Sequence, residues 1–307
     1  MAIDLKKIST ESRNLNTLDI DEISTIKILD KINNEDQIIA PKIKEKLSDI
    51  SLVVDEVYEK LKNGGRLIYM GAGTSGRIGI IDAVECPPTF GVNYEMVQCL
   101  MAGGKDAFVK AKEGAEDNKE LGIRDLKDIH LSSKDFVIGI AASGRTPYVI
   151  GGIEYAKKIG AKTACITTSS NSILASLVDY KIEIVVGPEV ITGSTRMKSG
   201  TCQKMVCNMI STSVMIKLGK VYSNLMVDVK PTNEKLIQRS LNIIHEITDV
   251  SLDEARILLD KYHTIKKVIF HYFTNVEDET LIDKYLNKCS DNVKLAIKLY
   301  KEENIWK

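Results

Sequence analysis

Short apolar runs alternate with helical patterns through the middle of the chain. Helical spacing of apolar residues appears between and after these runs, which favours helices. The runs are rich in β-branched residues, and we predict that five of them are strands: 66–71, 94–100, 135–142, 162–168 and 183–187. Strands that are apolar on both faces and alternate with helices form parallel sheets covered on both sides. We therefore expect an α/β fold with a doubly wound, five-stranded parallel sheet.

The helices that accompany this sheet are predicted at 78–84, 107–121, 147–159, 171–177 and 197–218. Both ends of the chain read as helical without strands. Residues 21–33 and 47–61 carry apolar side chains at helical spacing, with Pro41 between them. Ser251–Glu254 has the form of a capping box that opens a C-terminal helix. The predicted parts are an N-terminal helical segment (1–62), an α/β domain (63–230) and a small C-terminal helical domain (231–307).

Composition excludes several classes of protein. The 307 residues are 44% hydrophobic and 27% charged, as in ordinary globular proteins. Basic and acidic residues number 42 each, so no net charge attracts nucleic acid or an anionic membrane. The polar N-terminus lacks a signal peptide's apolar core, and no run is long enough to span a membrane. We expect a cytoplasmic protein with no nucleic-acid or membrane partner.

Cysteine and histidine give no sign of a metal or disulfide framework. None of the six cysteines forms a C-x-x-C motif, and the chain has only four histidines. We expect reduced thiols, mostly buried, and no metal site.

The glycines after the first predicted strand spell G-x-G-x-x-G, at Gly71, Gly73 and Gly76. A dinucleotide site also needs an acidic residue at the end of the second strand, where it binds the ribose hydroxyls. The second strand here ends in Gln98-Cys-Leu-Met-Ala102 and offers no acid. We therefore expect neither a nicotinamide nor a flavin cofactor.

Hydroxyl groups and arginines follow three of the predicted strands. A helix N-terminus backed by hydroxyl donors binds phosphate, and arginine grips phosphate or carboxylate with two parallel hydrogen bonds. Carboxyl ends of parallel strands meet at one edge of a sheet, so the three turns predict one site for an anionic, polyhydroxylated ligand. Which arginine binds which anion stays open. The candidate residues are Thr74, Ser75 and Arg77 after the first strand, Ser143 and Arg145 after the third, and Ser194, Thr195 and Arg196 after the fifth.

These turns resemble the sugar isomerase (SIS) domain, a flavodoxin-like fold that binds phosphosugars. Longer segments resemble the N-acetylmuramic acid 6-phosphate etherase family: GAGTSGRIGIIDAVECPPTFG (71–91), EGAEDN (113–118), AASGRTPYVIGG (141–152) and TGSTRMKSGT (192–201). TESRN (10–14) and NLMVDVKPTNEKL (224–236) fit the same family. The resemblance covers about residues 8–240, and the C-terminal segment DKYHTIKKVIFHYFTN (260–275) departs from it.

The resemblance implies an activity and two catalytic residues. The family cleaves the D-lactyl ether of N-acetylmuramic acid 6-phosphate to N-acetylglucosamine 6-phosphate and D-lactate, as a cytoplasmic homodimer without metal or nucleotide. Its catalytic glutamates match Glu85 and Glu116. By that resemblance, Glu85 protonates the lactyl oxygen and then activates water, and Glu116 removes the C2 proton.

Glu85 raises a geometric difficulty. Pro87 disfavours helical geometry at Cys86, so we expect the first helix of the sheet domain to end there. The negative end of a helix dipole disfavours a carboxylate, which suits an acid catalyst. Glu85 nevertheless follows Ser75 by ten residues, or about 15 Å of helix, which is far for a hexose phosphate. Two alternatives remain open: the helix is short and the chain turns back, or a partner subunit supplies Glu85 at a shared site.

Three other functions stay open at this stage. An aldose–ketose isomerase with a SIS domain would use the same turns and a single base. A non-catalytic phosphosugar sensor, like the glucokinase regulatory protein, would bind without turnover. A DNA-binding regulator would need a basic face, and the first 62 residues instead mix Lys and Arg with Asp and Glu.

Overall fold

The computed structural model describes residues 9–110, 112, 114–229 and 233–304. Glu113 and the predicted boundary at 230/231 lie outside the described residues. Contacts divide the chain into two compact units. The first extends to Val84 and includes Tyr94–Ser211, and the second comprises Glu85–Asn93 and the residues from Thr212 onward. The three-part division made from the sequence stays a prediction.

The first unit contains the parallel sheet. All four strand pairs are parallel, in the order β2-β1-β3-β4-β5, which confirms the predicted five-stranded, doubly wound architecture. The two central strands, β1 and β3, are buried along their whole length, as expected for a sheet covered on both faces. The strands are β1 (Leu67–Gly71), β2 (Val97–Met101), β3 (Phe136–Ile140), β4 (Lys162–Thr167) and β5 (Tyr180–Glu183).

Helices precede and connect these strands. They are α1 (Thr25–Asp36), α2 (Ile39–Lys44), α3 (Leu47–Lys62), α4 (Gly73–Phe90), α5 (Asp106–Val109), α6 (Lys119–Asp128), α7 (Pro147–Ile159), α8 (Ile173–Leu177) and α9 (Lys198–Lys217). Short 3-10 turns at Ser9–Glu11 and Leu15–Thr17 come before α1. Pro41 lies in the first turn of α2, where a missing N–H costs nothing. No helix in the described part of the chain is long and apolar enough to cross a membrane.

The single helix predicted at 107–121 is wrong. α5 ends at Val109 and α6 begins only at Lys119, with the Asn118 side chain accepting from the backbone N–H of Leu121 at 3.0 Å. Gly114 between them has a φ of 74°, a left-handed conformation that no helix contains. Glu116 therefore lies on a loop rather than on a helix.

The fifth strand lies earlier in the chain than the predicted 183–187, at Tyr180–Glu183. Among the described residues it pairs with β4 alone and is an edge strand, with Ala164 beside Tyr180 and Thr167 beside Glu183. The pairing ends because β4 itself ends at Thr167. Buried apolar residues continue after β5, so the periodicity of the sequence extends past the hydrogen-bonded strand.

Helix α4 continues through Pro87 and Pro88 to Phe90, so the prediction that it ends at Cys86 is wrong. Each proline lacks an N–H, but the N–H of Gly91 donates to the carbonyl of Pro87 at 2.9 Å and closes the last turn. The alternative of a short helix, in which the chain turns back after Glu85, is wrong for the same reason.

The second unit is helical, as predicted for the C-terminal region. Its first elements after α9 are two short antiparallel strands, β6 (Val221–Tyr222) and β7 (Leu225–Met226). The Ser251 hydroxyl accepts from the N–H of Glu254 at 3.1 Å, which is the N-cap bond of the predicted capping box. The helices are α10 (Glu234–Thr248), α11 (Leu252–Tyr262), α12 (Ile265–Thr274), α13 (Glu279–Lys288) and α14 (Val293–Glu303).

One C-terminal cap occurs twice in this unit. In α10, His245 Nδ1 lies 2.7 Å from the carbonyl oxygen of Val250, and in α12, His271 Nδ1 lies 2.8 Å from that of Val276. The residue after each helix is left-handed, with φ of 58° and 56°. Because a carbonyl only accepts, each imidazole donates from Nδ1. The C-terminal ends of α10 and α12 are therefore capped in the same way.

A buried ion pair ties the start of β1 to the start of β3. Arg66 donates to both carboxylate oxygens of Asp135, through Nε at 3.0 Å and Nη2 at 2.8 Å. Burial alone would raise the pKa of Asp135, but hydrogen bonds from Arg66 and from the N–H of Ser132 lower it below its usual value. The ionised carboxylate therefore stabilises the folded state.

We expect Asp135→Asn to lower the free energy of unfolding by about 3 kcal/mol at pH 7, because Arg66 loses its carboxylate partner. The pKa of Asp135 is lower in the folded state than in the unfolded one. The stabilisation is therefore present above the unfolded-state pKa of about 4 and is lost as pH falls through the folded-state value. Urea unfolding of both proteins, repeated at falling pH, measures the difference.

Glu154→Gln is the matched control. It breaks the ion pair between Glu154 and Lys119, in which both side chains are about half exposed. Such pairs contribute little, so we expect a change within about 0.5 kcal/mol. An Asp135→Asn effect as small as that of the control, or one that is the same at pH 7 and pH 3, would contradict the claim that ionised Asp135 stabilises the folded state.

Candidate active site

A cavity of about 400 Å³ opens at the carboxyl ends of β1 and β3. In the strand order β2-β1-β3, this is the switch point at which α/β sheets bind ligands. All of its lining residues belong to the first unit. Six of the predicted site residues line it: Thr74, Ser75, Glu116, Ser143, Arg145 and Thr195.

The loop after β1 brings a helix N-terminus to this cavity. A side chain on Gly71 would place its Cβ 2.6 Å from the backbone nitrogen of Gly76, so only glycine allows α4 to begin so soon after the strand. Gly73, Thr74 and Ser75 form the first turn of α4 and line the cavity. The first N–H groups of a helix have no partner within it, which makes this end of α4 suitable for an anion.

The N-terminus of α9 is already occupied. Glu189, which is fully buried, accepts from the backbone N–H groups of Lys198 and Ser199, both at 2.9 Å. This carboxylate fills the position that a ligand anion would take. The turn before α9 therefore contributes side chains such as Thr195 rather than a helix terminus, and the three turns are not equivalent.

The loop after β3 positions Ser143, Arg145 and Glu116. Gly144 has a φ of 64°, and a Cβ there would lie 2.4 Å from Cβ of Ser172, so this turn also requires glycine. The backbone N–H of Tyr148 donates to the carbonyl of Glu116 at 2.9 Å. This bond fixes the backbone of Glu116 beside the start of α7, while its side chain stays exposed at the cavity.

Buried hydroxyl groups hold α4 against β1 and α9. Asp82 on α4 accepts from the Tyr69 hydroxyl and from the Ser211 hydroxyl, both at 2.9 Å. Burial raises the pKa of Asp82, although these hydrogen bonds lower it in part. The helix whose first turn lines the cavity is thus fixed from the middle.

Ser75 has a partner with unused hydrogen-bonding capacity. Its hydroxyl donates to Oε1 of Gln203 at 2.8 Å, and Nε2 of the buried Gln203 has no partner among the described residues. Rotating the amide by 180° would let Nε2 donate to Ser75. The hydroxyl hydrogen of Ser75 would then be free to bind an anion in the cavity.

The remaining predicted residues lie elsewhere. Arg77 lines an adjoining cavity of about 170 Å³, which Glu116 also lines. Its Nε and Nη2 donate to the carbonyls of Phe108 and Ala107, both at 2.8 Å. Among the described residues, the linings of these two cavities do not include Glu85 on α4, Ser194 or Arg196.

Four polar residues of the cavity were not predicted: Thr10, Glu11, Asp117 and Thr146. Each lies in or beside a segment that resembles the etherase family. The motifs TESRN, EGAEDN and AASGRTPYVIGG therefore contained the information that would have identified these residues. No three His, Cys, Asp or Glu side chains of the described residues are grouped so that they could hold a metal ion.

Two family descriptions match the chain: "glucokinase regulatory protein N-terminal SIS domain" over residues 49–157, and "SIS domain" over residues 120–213. The N-acetylmuramic acid 6-phosphate etherase of Clostridium botulinum (strain Eklund 17B / Type B) is 52% identical over 295 residues, which cover 96% of this chain and 98% of that protein. The chain belongs to the N-acetylmuramic acid 6-phosphate etherase family.

A second relative supports the same membership. The N-acetylmuramic acid 6-phosphate etherase of Bacillus subtilis (strain 168) is 51% identical over 286 residues, with 92% of this chain and 94% of that protein covered. Because the etherase relatives match nearly the whole chain, the similarity extends beyond the expected limit near residue 240. The family resemblance and the SIS fold are both confirmed.

We expect Gln203→Glu to weaken binding of N-acetylglucosamine 6-phosphate by about tenfold or more. A carboxylate of the same size only accepts, so it would hold the Ser75 hydrogen and add a negative charge behind the helix terminus. Isothermal titration of the sugar phosphate into each protein measures the change.

Gln37→Glu is the control. Gln37 is exposed at the end of α1, and this substitution adds the same negative charge as Gln203→Glu. We expect its dissociation constant to equal that of the unmodified protein. Equal affinities for all three proteins would exclude a role for the Ser75–Gln203 pair in anion binding.

Proposed function

We propose that the protein cleaves the D-lactyl ether at C3 of N-acetylmuramic acid 6-phosphate, giving N-acetylglucosamine 6-phosphate and D-lactate. Membership of the etherase family carries this proposal. The cavity supports it, because its volume suits a small molecule and it combines a helix N-terminus with hydroxyl side chains. The wider role is recycling or catabolism of cell-wall sugars in the cytoplasm.

The chemistry requires two groups that exchange protons. An alkyl ether resists direct hydrolysis, but in the open-chain sugar C2 lies next to an aldehyde and its proton is acidic. A base removes this proton, the C3–O bond breaks, and an acid protonates the departing lactate oxygen. Water then adds at C3 of the resulting double bond, and a proton returns to C2. A carboxylate and a carboxylic acid suffice for these steps.

Glu116 is the proposed base. Its side chain lines both the larger cavity and the adjoining one, and its backbone is fixed by Tyr148, so it has access to a bound sugar. Glu85 is the proposed acid by family resemblance. It would protonate the lactyl oxygen and then activate the water.

The anion-binding groups proposed for the substrate are the first turn of α4, with Thr74 and Ser75, and the loop residues Ser143 and Thr195. Arg145 is the arginine that lines the larger cavity, and Arg77 lines the adjoining one. Both are candidates for the phosphate or the lactyl carboxylate. Ser194 and Arg196, on the same turn as Thr195, remain candidates for substrate binding.

We also propose a homodimer in which one subunit supplies Glu85 to the site of the other. The continuous α4 leaves this as the remaining one of the two alternatives raised by the sequence. Large exposed apolar side chains occur on the N-terminal helical region and on α4, and a subunit contact would bury them. They are Leu15, Leu18, Ile26, Leu29, Ile81 and Val84.

The test is release of D-lactate from N-acetylmuramic acid 6-phosphate in D₂O, with the sugar product examined by NMR. We expect lactate together with deuterium at C2, because the proton that returns to C2 comes from solvent. Exchange or isomerisation without lactate would identify an isomerase. Binding of the sugar phosphate without any turnover would identify a sensor, and either outcome would refute the etherase.

We expect Glu116→Gln and Glu85→Gln to lower kcat by about 100-fold or more, since each removes a proton-transfer group. Glu22→Gln, on an exposed residue ahead of α1, is the control and should leave kcat unchanged. Exchange of the C2 proton in Glu85→Gln but not in Glu116→Gln would separate the two roles. Wild-type kcat in either variant would remove that glutamate from the mechanism.

Mixing two inactive variants tests the shared site. Glu85→Ala and Ser75→Ala subunits, combined under conditions of proven exchange, form mixed dimers with one intact site and one doubly altered site. Random exchange makes half of the dimers mixed, so about a quarter of wild-type activity should return. No recovery of activity would place Glu85 and Ser75 of each site in the same subunit.

A further inference from the structure

Thr10 has a buried hydroxyl that binds nothing within the described part of the chain. The residue is fully buried, and its Oγ1 has no hydrogen-bond partner there. It lines the larger cavity. A buried hydroxyl without a partner is costly and uncommon in folded proteins, so its position at a cavity indicates that a ligand completes it.

Glu11 lines the same cavity next to Thr10. Its carboxylate lies beside Gly193, because a Cβ on that glycine would be 3.3 Å from Glu11 Oε2. Gly193 also has a left-handed φ of 77° and precedes Thr195 in the turn before α9. The carboxylate is half-buried and borders the open cavity.

Residues 9–17, which we call the N-terminal strap, are fixed to the first unit by side-chain hydrogen bonds. Asn14 donates to the carbonyl of Pro188 at 3.3 Å, and Thr17 donates to that of Val190 at 2.9 Å. Asn16 donates to the carboxylate of Glu35 at 2.9 Å. These bonds hold the strap beside the segment that leads into the 192–196 turn, so Thr10 and Glu11 have defined positions.

We propose that the N-terminal strap is part of the substrate site, where Thr10 and Glu11 bind neutral hydroxyl groups of the sugar. This rests on the proposed function, which places a phosphosugar in the larger cavity. A carboxylate repels the phosphate and the lactyl carboxylate but accepts strongly from hydroxyl groups. The phosphate in turn has the N-terminus of α4, which lines the same cavity.

The chemistry of the sugar narrows the partners of Glu11. In the open-chain form, C2 carries the acetamido group, C3 the lactyl ether and C6 the phosphate. The free hydroxyls are those on C4 and C5. When the open-chain substrate is bound, Glu11 therefore accepts a hydrogen bond from one of these two hydroxyls. Thr10 adds an uncharged hydrogen bond to the sugar. Together the two residues favour binding of a polyhydroxylated chain over a simple phosphate monoester.

Binding measurements with two probes test the strap. We expect Glu11→Gln and Thr10→Val to raise the dissociation constant of N-acetylglucosamine 6-phosphate about tenfold or more, since each loses a buried hydrogen bond to the sugar. The affinity for inorganic phosphate should not fall in either variant, because phosphate alone offers no sugar hydroxyl, and in Glu11→Gln it should stay level or rise as a repelling charge is removed. Thr10→Ser keeps the hydroxyl and should restore sugar-phosphate affinity to near the wild-type value.

Glu22→Gln is the matched control on an exposed residue, and the unfolding temperature of every variant is measured alongside. Unchanged sugar-phosphate affinity in Glu11→Gln and Thr10→Val overturns the inference. An equal loss for sugar phosphate and inorganic phosphate also overturns it, because the strap would then support the cavity without contacting the sugar. Failure of the unmodified protein to release lactate refutes the etherase alone, since the strap is tested by binding of the product.

Discussion

The buried ion pair between Lys198 and Glu35 is the interaction on which the shape of the candidate site depends. Nζ and Oε2 are 2.5 Å apart, and Lys198 is fully buried. Burial alone would raise the pKa of Glu35, but hydrogen bonds from Asn16 and Lys198 lower it below its usual value. Loss of either partner would leave a buried charge, at a cost of about 3–5 kcal/mol. The pair joins α1 to the first residue of α9 and, through Asn16, to the N-terminal strap.

This arrangement gives the helix N-termini around the sheet different tasks. At α9, Glu189 supplies a carboxylate from within the protein. At the start of α7, Pro147 has no N–H, and the N–H of Tyr148 donates to the backbone carbonyl of Glu116. The first turn of α4 lines the larger cavity with Gly73, Thr74 and Ser75, and the first N–H groups of a helix have no partner within it. In the proposed complex, the phosphate would therefore bind at the N-terminus of α4, and the other turns would contribute side chains around the sugar.

Local sequence patterns predicted the sheet and the turns of the site, because buried parallel strands and turns rich in glycine and hydroxyl residues are each formed by consecutive residues. They failed where long-range contacts or single dihedral angles decide. The break around Gly114 depends on one left-handed residue, and the end of β5 depends on where β4 ends. Thr10 and Glu11 reach the cavity only because the strap binds carbonyls at Pro188 and Val190, more than 170 positions away along the chain. Periodicity carries no information about such docking.

Charged side chains are unevenly distributed between the larger cavity and the adjoining one. Glu11, Glu116 and Asp117 line the larger cavity with Arg145, so its side chains carry the same sign as an anionic phosphosugar. The dipole of α4 offsets only about half a charge. Further positive charge lies in the adjoining cavity, where Lys112 lines the wall with Arg77. Glu116 lines both cavities and thus lies between the two groups of charges. The base that we propose, Glu116, would therefore act next to the positive charge that would bind an anionic leaving group.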